Sequence, residues 1–182
     1  MNIGIDIDDT LTDTRVHQIA KWKEYIKLYP NPNYTDELPI SINEFGIEYI
    51  NNFWDLYREY LSFETNFKEY CSLILYKLIE DGHKISVVTS RPDYKYNNLK
   101  DNLRIWFKQN NIPINVFYTD VQNKGLFCYE NNIDLLIDDS LNHINSAKYY
   151  GIKTILFNQD EDYQDLWADN WLDVYTLIKR MK

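Results

Sequence analysis

The sequence predicts an α/β fold in which a doubly wound parallel sheet is covered by helices on both faces. Five short runs of mostly apolar residues recur along the chain, and each ends in a cluster of polar residues. Their apolar residues are continuous rather than alternating, which is typical of strands covered on both faces. Helical patterns separate the runs, so repeated β-α units are indicated. The predicted strands span residues 3–8, 84–89, 115–119, 134–138 and 153–157.

Helical periodicity indicates where the intervening helices lie. Apolar residues spaced by three and four from Phe67 onward predict a helix that ends at Gly82, because glycine often follows the last helical turn. The same spacing predicts a helix through Leu103 and Trp106, and another that starts near Trp171. Each of these helices would follow or precede a strand, as a doubly wound sheet requires.

The connection after the first strand is too long for a simple crossover. About 70 residues separate the first strand from the second, where a far shorter segment would be enough. We interpret residues 14–63 as a small helical cap inserted after the first strand, and residues 1–13 and 64–182 as the core. A helix is predicted over residues 16–28 of the cap. A second cap helix has its apolar face at Ile50, Phe53, Trp54, Tyr57 and Leu61.

Composition and charge narrow the functional classes. A chain of 182 residues can bury one sizeable core. The net charge of −9 comes from acids spread along the chain, without a basic run that could neutralise a phosphate polymer, so nucleic-acid binding is not expected. No stretch is apolar enough to span a membrane, and a cytoplasmic location is expected by default. Cys71 and Cys128 lack metal-site spacing and are predicted to be core residues.

Polar side chains stand where the predicted strands end. In open α/β sheets, ligands bind beyond the carboxyl ends of the strands, so these residues are the first candidates for a functional site. They comprise carboxylates, hydroxyls and one lysine. The candidates are Asp6, Asp8, Asp9 and Thr10 after the first strand, Thr89 and Ser90 after the second, Thr119, Asp120 and Lys124 after the third, and Asp138 and Asp139 after the fourth.

The concentration of acids predicts a bound cation. Carboxylates a few ångströms apart repel each other, and a divalent ion resolves that repulsion. Oxygen ligands without His or Cys favour a hard ion, and Mg²⁺ usually takes one or two carboxylates together with water and a phosphate oxygen. Such an inventory fits phosphoryl transfer, which needs a nucleophile, a proton donor and charge stabilisation around the phosphoryl oxygens.

The residues at the strand ends also match a known pattern. The run IGIDIDDTLTD, with Asp6, Asp8 and Thr10, resembles the first motif of the haloacid dehalogenase superfamily. SVVTSRP resembles the second motif, Lys124 the third, and LLIDDS the fourth, in the superfamily's order. The resemblance implies a Rossmann-like core and a magnesium-dependent phosphatase that acts through an aspartyl-phosphate.

The resemblance also implies a role for each matching residue. Asp6 would attack phosphorus, and Asp8 would protonate the leaving oxygen and then deprotonate the attacking water. Thr89 and the backbone N–H of Ser90 would hold phosphate oxygens, and Lys124 would neutralise charge on the phosphate and on Asp6. The magnesium ion would be held by Asp6, the backbone carbonyl of Asp8, Asp139 directly, and Asp138 through water, although the sequence does not separate Asp138 from Asp139.

Within the superfamily the chain resembles the 5′-nucleotidase and 5′(3′)-deoxyribonucleotidase type. The small cap, the TSRP run and NKGLFCYENNIDLLIDDSLNHI carry this narrower resemblance, whereas Asp9 stands where a glycine is usual. It implies a nucleoside monophosphate as substrate. Phe53 and Trp54 are candidates for stacking on the base, although their helical spacing also favours the core of the cap.

Other functions share the same inventory. A sugar phosphatase or phosphomutase would use this core under another cap. A phosphoacceptor signalling domain would place its acceptor aspartate after a middle strand, where the chain has no suitable residue. A catalytically silent phosphate-binding module is a further alternative.

Arg91 could bind phosphate or pair with a nearby acid, whereas His17, His83 and His143 are interpreted as isolated residues. The sequence does not indicate the oligomeric state.

Overall fold

Six parallel strands form one sheet in the computed structural model, which describes residues 1–30, 46–157 and 163–181. The strands lie in the order β3-β2-β1-β4-β5-β6, and every neighbouring pair is parallel. This order confirms the predicted doubly wound sheet. The strands are β1 Asn2–Ile5, β2 Lys84–Val88, β3 Phe117–Tyr118, β4 Leu135–Asp138, β5 Lys153–Phe157 and β6 Trp167–Ala168.

Besides shifts at other strand ends, such as β3 covering only Phe117–Tyr118 of the predicted residues 115–119, the strands differ from the prediction in two respects. First, β1 ends at Ile5, because the backbone turns beyond Asp6 and the carbonyl of Ile7 accepts hydrogen bonds from the N–H groups of Leu11 and Thr12, at 2.9 Å and 3.1 Å. Second, β6 was not predicted, since a strand of two residues leaves no periodic pattern in the sequence.

Seven α-helices occur within the described ranges. Among them, α3 begins at Cys71, four residues later than predicted, because Phe67 forms a bridge with Thr12 instead. Gly82, with φ of +85°, follows α3 and confirms the predicted stop. The helices are α1 Thr14–Leu28, α2 Ile47–Phe63, α3 Cys71–Glu80, α4 Leu99–Gln109, α5 Lys124–Glu130, α6 Leu141–Tyr149 and α7 Trp171–Arg180.

The chain divides into two compact units. The first unit comprises Met1–Thr12 and Phe67–Lys182, and the second comprises Asp13–Asn66. Residues 31–45 of the predicted cap lie outside the described residues. That the second unit acts as a cap stays a prediction.

The first unit contains the sheet and buries the apolar residues of its central strands completely. Ile3 and Ile5 of β1 and Leu136 and Ile137 of β4 are 0% exposed. This burial confirms that the apolar runs are strands covered on both faces. Cys71 and Cys128 are buried free thiols, as predicted. Within the parts of the chain that the structure describes, no helix has the length and the apolarity of a membrane span.

The second unit has its own core, which is aromatic. Trp22, Tyr25 and Phe53 pack together with Ile26 and Leu61, with centroid distances of 5.2 Å between Trp22 and Phe53 and 5.6 Å between Tyr25 and Phe53. Phe53 is only 2% exposed, which agrees with the alternative that its helical spacing favoured, a core residue of this unit, and its role in base stacking stays a prediction. Trp54 is partly buried against this cluster, and a substrate role for Trp54 stays a prediction.

Candidate functional site

The candidate site lies where the strand order reverses. β1 pairs with β2 on one side and with β4 on the other. From β1 the chain adds β2 and β3 on one side, and it then adds β4, β5 and β6 on the other side. Asp6 follows β1, and its backbone N–H donates to the carbonyl of Ile137 in β4, at 3.0 Å. A crevice at such a switch point is where open α/β sheets bind their ligands.

Lys124 joins two of the predicted acids. It is the first residue of α5, its side chain is 1% exposed, and its ammonium donates to Asp6 Oδ1 and, at 2.7 Å, to Asp138 Oδ2. The side chains of Asp6 and Asp138 are 8% and 0% exposed. A buried ammonium between two buried carboxylates holds all three groups in place, because each would be costly to bury without its partners.

The two carboxyl groups at the end of β4 have different surroundings. Asp138 Oδ1 accepts a hydrogen bond from the backbone N–H of Ser140 at 2.9 Å, and His143 Nδ1 lies 3.1 Å from the same oxygen. Together with the contact from Lys124, these bonds occupy both oxygens of Asp138. Asp139, by contrast, makes no hydrogen bond to any residue in the described ranges, and it is only partly buried. His143 is therefore not isolated, which corrects its interpretation.

The loop after β2 holds Thr89 and Ser90. Thr89 is 1% exposed, and its backbone N–H donates to the carbonyl of Tyr118, at 2.9 Å. The hydroxyl of Ser90 donates to the carbonyl of Val121, at 2.8 Å. The backbone N–H of Ser90 has no partner among the described residues, so it remains able to donate to an anion.

Asp8 pairs with Arg91. Of the two roles that the sequence left open for Arg91, phosphate binding and pairing with a nearby acid, the structure shows the second. Arg91 Nε lies 3.0 Å from Asp8 Oδ2, and Arg91 Nη2 lies 2.8 Å from Asp8 Oδ1. The arginine side chain is 6% exposed, whereas that of Asp8 is 40% exposed. This two-point contact is the geometry in which guanidinium and carboxylate groups interact most strongly.

The backbone at Asp9 is left-handed, with φ of +57°. Glycine adopts this conformation without strain, and aspartate is among the residues that tolerate it best. An aspartate at position 9, where the resemblance leads one to expect glycine, is therefore compatible with a left-handed turn. The next hydroxyl, that of Thr10, is fully buried and has no hydrogen-bond partner among the described residues.

The acids of the site affect each other's ionisation. Burial raises the pKa of Asp6 to about 7, although Lys124 opposes the shift. Burial and the charges of Asp6 and Asp138 raise the pKa of Asp139 to about 8. Burial would also raise the pKa of Asp138, but the hydrogen bond from His143 and the charge of Lys124 outweigh it and hold that pKa below its ordinary value. Asp6 and Asp139 thus share a region with excess negative charge.

The donor set around that region fits a magnesium ion. No group of three or more His, Cys, Asp or Glu side chains in residues 1–30, 46–157 and 163–181 is arranged as a metal cluster. Mg²⁺ does not need one, because it usually takes one or two carboxylates and completes its shell with water and substrate oxygens. Asp6 and Asp139 would be two such carboxylates, and Asp139 has no hydrogen-bond donor of its own among the described residues.

The structure brings together most of the predicted site residues. Asp6, Lys124 and Asp138 are in direct contact, and Asp139 interacts electrostatically with Asp6. Thr89 follows the strand beside β1. Sequence reasoning left the pairing of Arg91 with a nearby acid open, and it missed the pairing of His143 with Asp138. The only signals for them were the position of Arg91 directly after Ser90 and that of His143 in the first turn of the helix after β4.

Gly125 is required where α5 packs against α6, and this gives a prediction. A Cβ atom at Gly125 would lie 2.3 Å from the backbone oxygen of Ser146, closer than any real contact. Because the helices must then separate, we expect Gly125→Ala to lower the free energy of unfolding by about 1–3 kcal/mol. Urea denaturation would measure this effect, with Glu130→Ala as a control on the exposed end of α5. Equal stability of the two variants would contradict the expectation.

No protein-family model matches the sequence, and neither does any curated protein. Solved structures, in contrast, are similar over nearly the whole chain. A predicted phosphoglycolate phosphatase from Haemophilus somnus superimposes with a TM-score of 0.66 at 16% identity, covering 97% of each chain. A haloacid dehalogenase-like hydrolase from Streptococcus pneumoniae gives 0.69 at 14% identity and 97% of each chain. A Thermotoga maritima protein assigned as a β-phosphoglucomutase gives 0.70 at 15% identity and 100% of each chain. At such identities the similarity establishes the fold, which is that of haloacid dehalogenase-like hydrolases.

Proposed function

We propose that the protein is a magnesium-dependent hydrolase of small phosphate monoesters, with Asp6 as the nucleophile. One observation carries the proposal: buried Lys124 bridges Asp6 and Asp138 at the point where the strand order reverses. A lysine in this position opposes the effect of burial by favouring the ionised form of the carboxylate, and it fixes the direction of that carboxylate; both favour nucleophilic attack. The similar solved structures, whose names include phosphatases, support the same chemistry.

The chain's own residues account for each proton and bond. Asp6 forms a bond to phosphorus as the bond to the leaving oxygen breaks, and Asp8, in its protonated carboxylic acid form, gives its proton to that oxygen. Water then attacks the aspartyl-phosphate, Asp8 takes a proton from the water, and the bond between Asp6 and phosphorus breaks. The backbone N–H of Ser90 and the hydroxyl of Thr89 are proposed to hold the phosphoryl oxygens, and Lys124 is proposed to offset their charge.

The magnesium ion would be held by Asp6, the backbone carbonyl of Asp8, and Asp139. When bound, it neutralises charge on the phosphoryl group. We assign the direct contact to Asp139, because both oxygens of Asp138 are already used by Lys124, Ser140 and His143. The proposed role of Asp138 is therefore mainly to hold Lys124, with any contribution to the metal passing through water.

The substrate class is the finer part of the proposal. The resemblance to 5′-nucleotidases favours a nucleoside monophosphate, with the second unit as the cap that contacts the base. The names of the similar solved structures instead include a phosphoglycolate phosphatase and a β-phosphoglucomutase. A panel of nucleoside monophosphates, phosphoglycolate and hexose phosphates would decide between them. Hydrolysis of the acid or the sugar esters without the nucleotides would reject the nucleotidase assignment.

Removal of magnesium tests the function itself. We expect the protein to hydrolyse p-nitrophenyl phosphate with Mg²⁺, and to lose that activity in excess EDTA, because two of the proposed ligands are acids whose mutual repulsion the ion relieves. Restoring excess Mg²⁺ should restore the rate. Continuous release of p-nitrophenolate is the measurement. A folded protein without turnover at any magnesium concentration would indicate a silent binding module instead.

A further inference from the structure

The contact between Arg91 and Asp8 differs from a surface ion pair, because the arginine is buried and two atoms of each side chain take part. The two residues are 83 positions apart in the chain, and two separate nitrogen atoms of the guanidinium contact two separate oxygen atoms of the carboxylate. The arginine side chain is 6% exposed. Exposed ion pairs contribute little because mobile side chains must be ordered to form them, but a buried arginine is already ordered.

The structure fixes Arg91 from both its backbone and its side chain. Its backbone N–H donates to Thr89 Oγ1 at 3.3 Å, and its carbonyl accepts from the N–H of Asp120 at 2.9 Å. The guanidinium carbon lies 5.8 Å from the ring centroid of Trp106, a residue of the buried core. The loops after β2 and β3 therefore hold the arginine, and the arginine holds Asp8.

We propose that Arg91 is a positioning residue that orients the Asp8 carboxylate for proton transfer, an inference that rests on the proposed function. The Asp8 side chain is 40% exposed, whereas the arginine that contacts both of its oxygens is 6% exposed. Contact at both oxygens fixes the plane of the carboxylate. Misplacement of a catalytic group by about 1 Å can cost 10²-fold in rate, so such a contact has kinetic consequences.

This role differs from phosphate binding in what the variants should do. A phosphate-binding arginine would have its guanidinium nitrogens directed at the ligand, whereas Nε and Nη2 of Arg91 are directed at Asp8. Loss of a positioning residue lowers kcat and leaves KM and inhibition by inorganic phosphate nearly unchanged. Its effect also disappears when the group that it positions is already absent.

A double-mutant cycle tests the inference on the full chain with Mg²⁺ present. The cycle comprises wild type, Arg91→Met, Asp8→Asn and the double variant, assayed in single-turnover and steady-state mode with an alkyl phosphate ester that the wild type hydrolyses. We expect Arg91→Met to lower kcat by about 10²-fold. In the Asp8→Asn background the same change should lower the rate by less than about twofold, because residues that act as a unit are not additive. Arg91→Lys keeps the charge and should recover part of the rate.

Controls separate this role from folding and from the proposed function. Arg104→Met removes an arginine that pairs with Asp101 on the exposed side of α4, at 2.6 Å, and it should leave kcat unchanged. Arg91→Lys serves in the cycle if Arg91→Met unfolds, as thermal denaturation would show. Multiplying losses in the double variant, or weaker inhibition by inorganic phosphate at constant kcat, would overturn the inference. If the wild type hydrolyses the ester and Arg91→Met is equally active, the inference alone is rejected. If the wild type shows no turnover, the proposed function is rejected as well.

Discussion

Replacement of Asp6 by asparagine is expected to remove turnover. Asparagine has nearly the same shape, so it can remain beside Lys124, but its amide lacks the negative oxygen that must attack phosphorus. We expect kcat to fall by about 10⁴-fold or more, which corresponds to ~5.5 kcal/mol of lost transition-state stabilisation. Hydrolysis of p-nitrophenyl phosphate at saturating Mg²⁺ is the measurement.

The covalent intermediate gives this prediction a second readout. Acid quenching of wild type during turnover should trap one phosphoryl group on the chain, and peptide mapping should place it on Asp6. Asp6→Asn and Asp6→Ala should trap none. Asp101→Asn, an exposed change on α4, is the matched control and should behave as wild type. Phosphoryl trapping at another residue, or undiminished turnover in either Asp6 variant, would end the assignment of Asp6 as nucleophile.

The location of the site could be predicted from the sequence because it depends on topology alone. In a doubly wound sheet the carboxyl ends of all strands lie at one edge, so residues that follow β1, β2 and β4 must approach each other whatever their side chains do. Asp6, Thr89 and Asp138 were found in this way. Placing the five strands needed only apolar runs and the polar residues that follow them, whereas the strand ends differ, since β1 ends at Ile5 and β3 covers only Phe117–Tyr118.

The pairings inside the site could not be predicted, because they depend on local backbone geometry and rotamers. Asp8 reaches Arg91 only because the chain turns sharply after β1, with Asp9 at a φ of +57°. Asp9 signals that turn less clearly than a glycine would, because glycine is the residue that adopts a positive φ without strain. The choice between Asp138 and Asp139 was open for the same reason. The side chains of neighbouring residues point in different directions. Only the contacts of Lys124 and His143 show that Asp138 is the residue whose oxygens already have partners.

Replacement of Lys124 by methionine is expected to destabilise the protein as well as inactivate it. Methionine fills a similar volume without charge, so Asp6 and Asp138 would face each other while they are 8% and 0% exposed. Removing one partner from a buried ion pair costs about 3–5 kcal/mol, because the remaining charges stay desolvated without compensation. Urea denaturation without Mg²⁺ would measure the loss, and Lys100→Met, at an exposed position of α4, is the matched control.

A second substitution shows whether the loss comes from charge or from packing. Asp138→Asn in the Lys124→Met background removes one of the two uncompensated charges and keeps an oxygen that can accept from the N–H of Ser140. If the cost is electrostatic, the double variant should be more stable than Lys124→Met alone, although Asp138→Asn destabilises the wild type. If the cost is lost packing around the lysine stem, the second change should add a further loss. Stability would then fall in both backgrounds, and Lys124 would no longer be explained as the charge that holds the two carboxylates together.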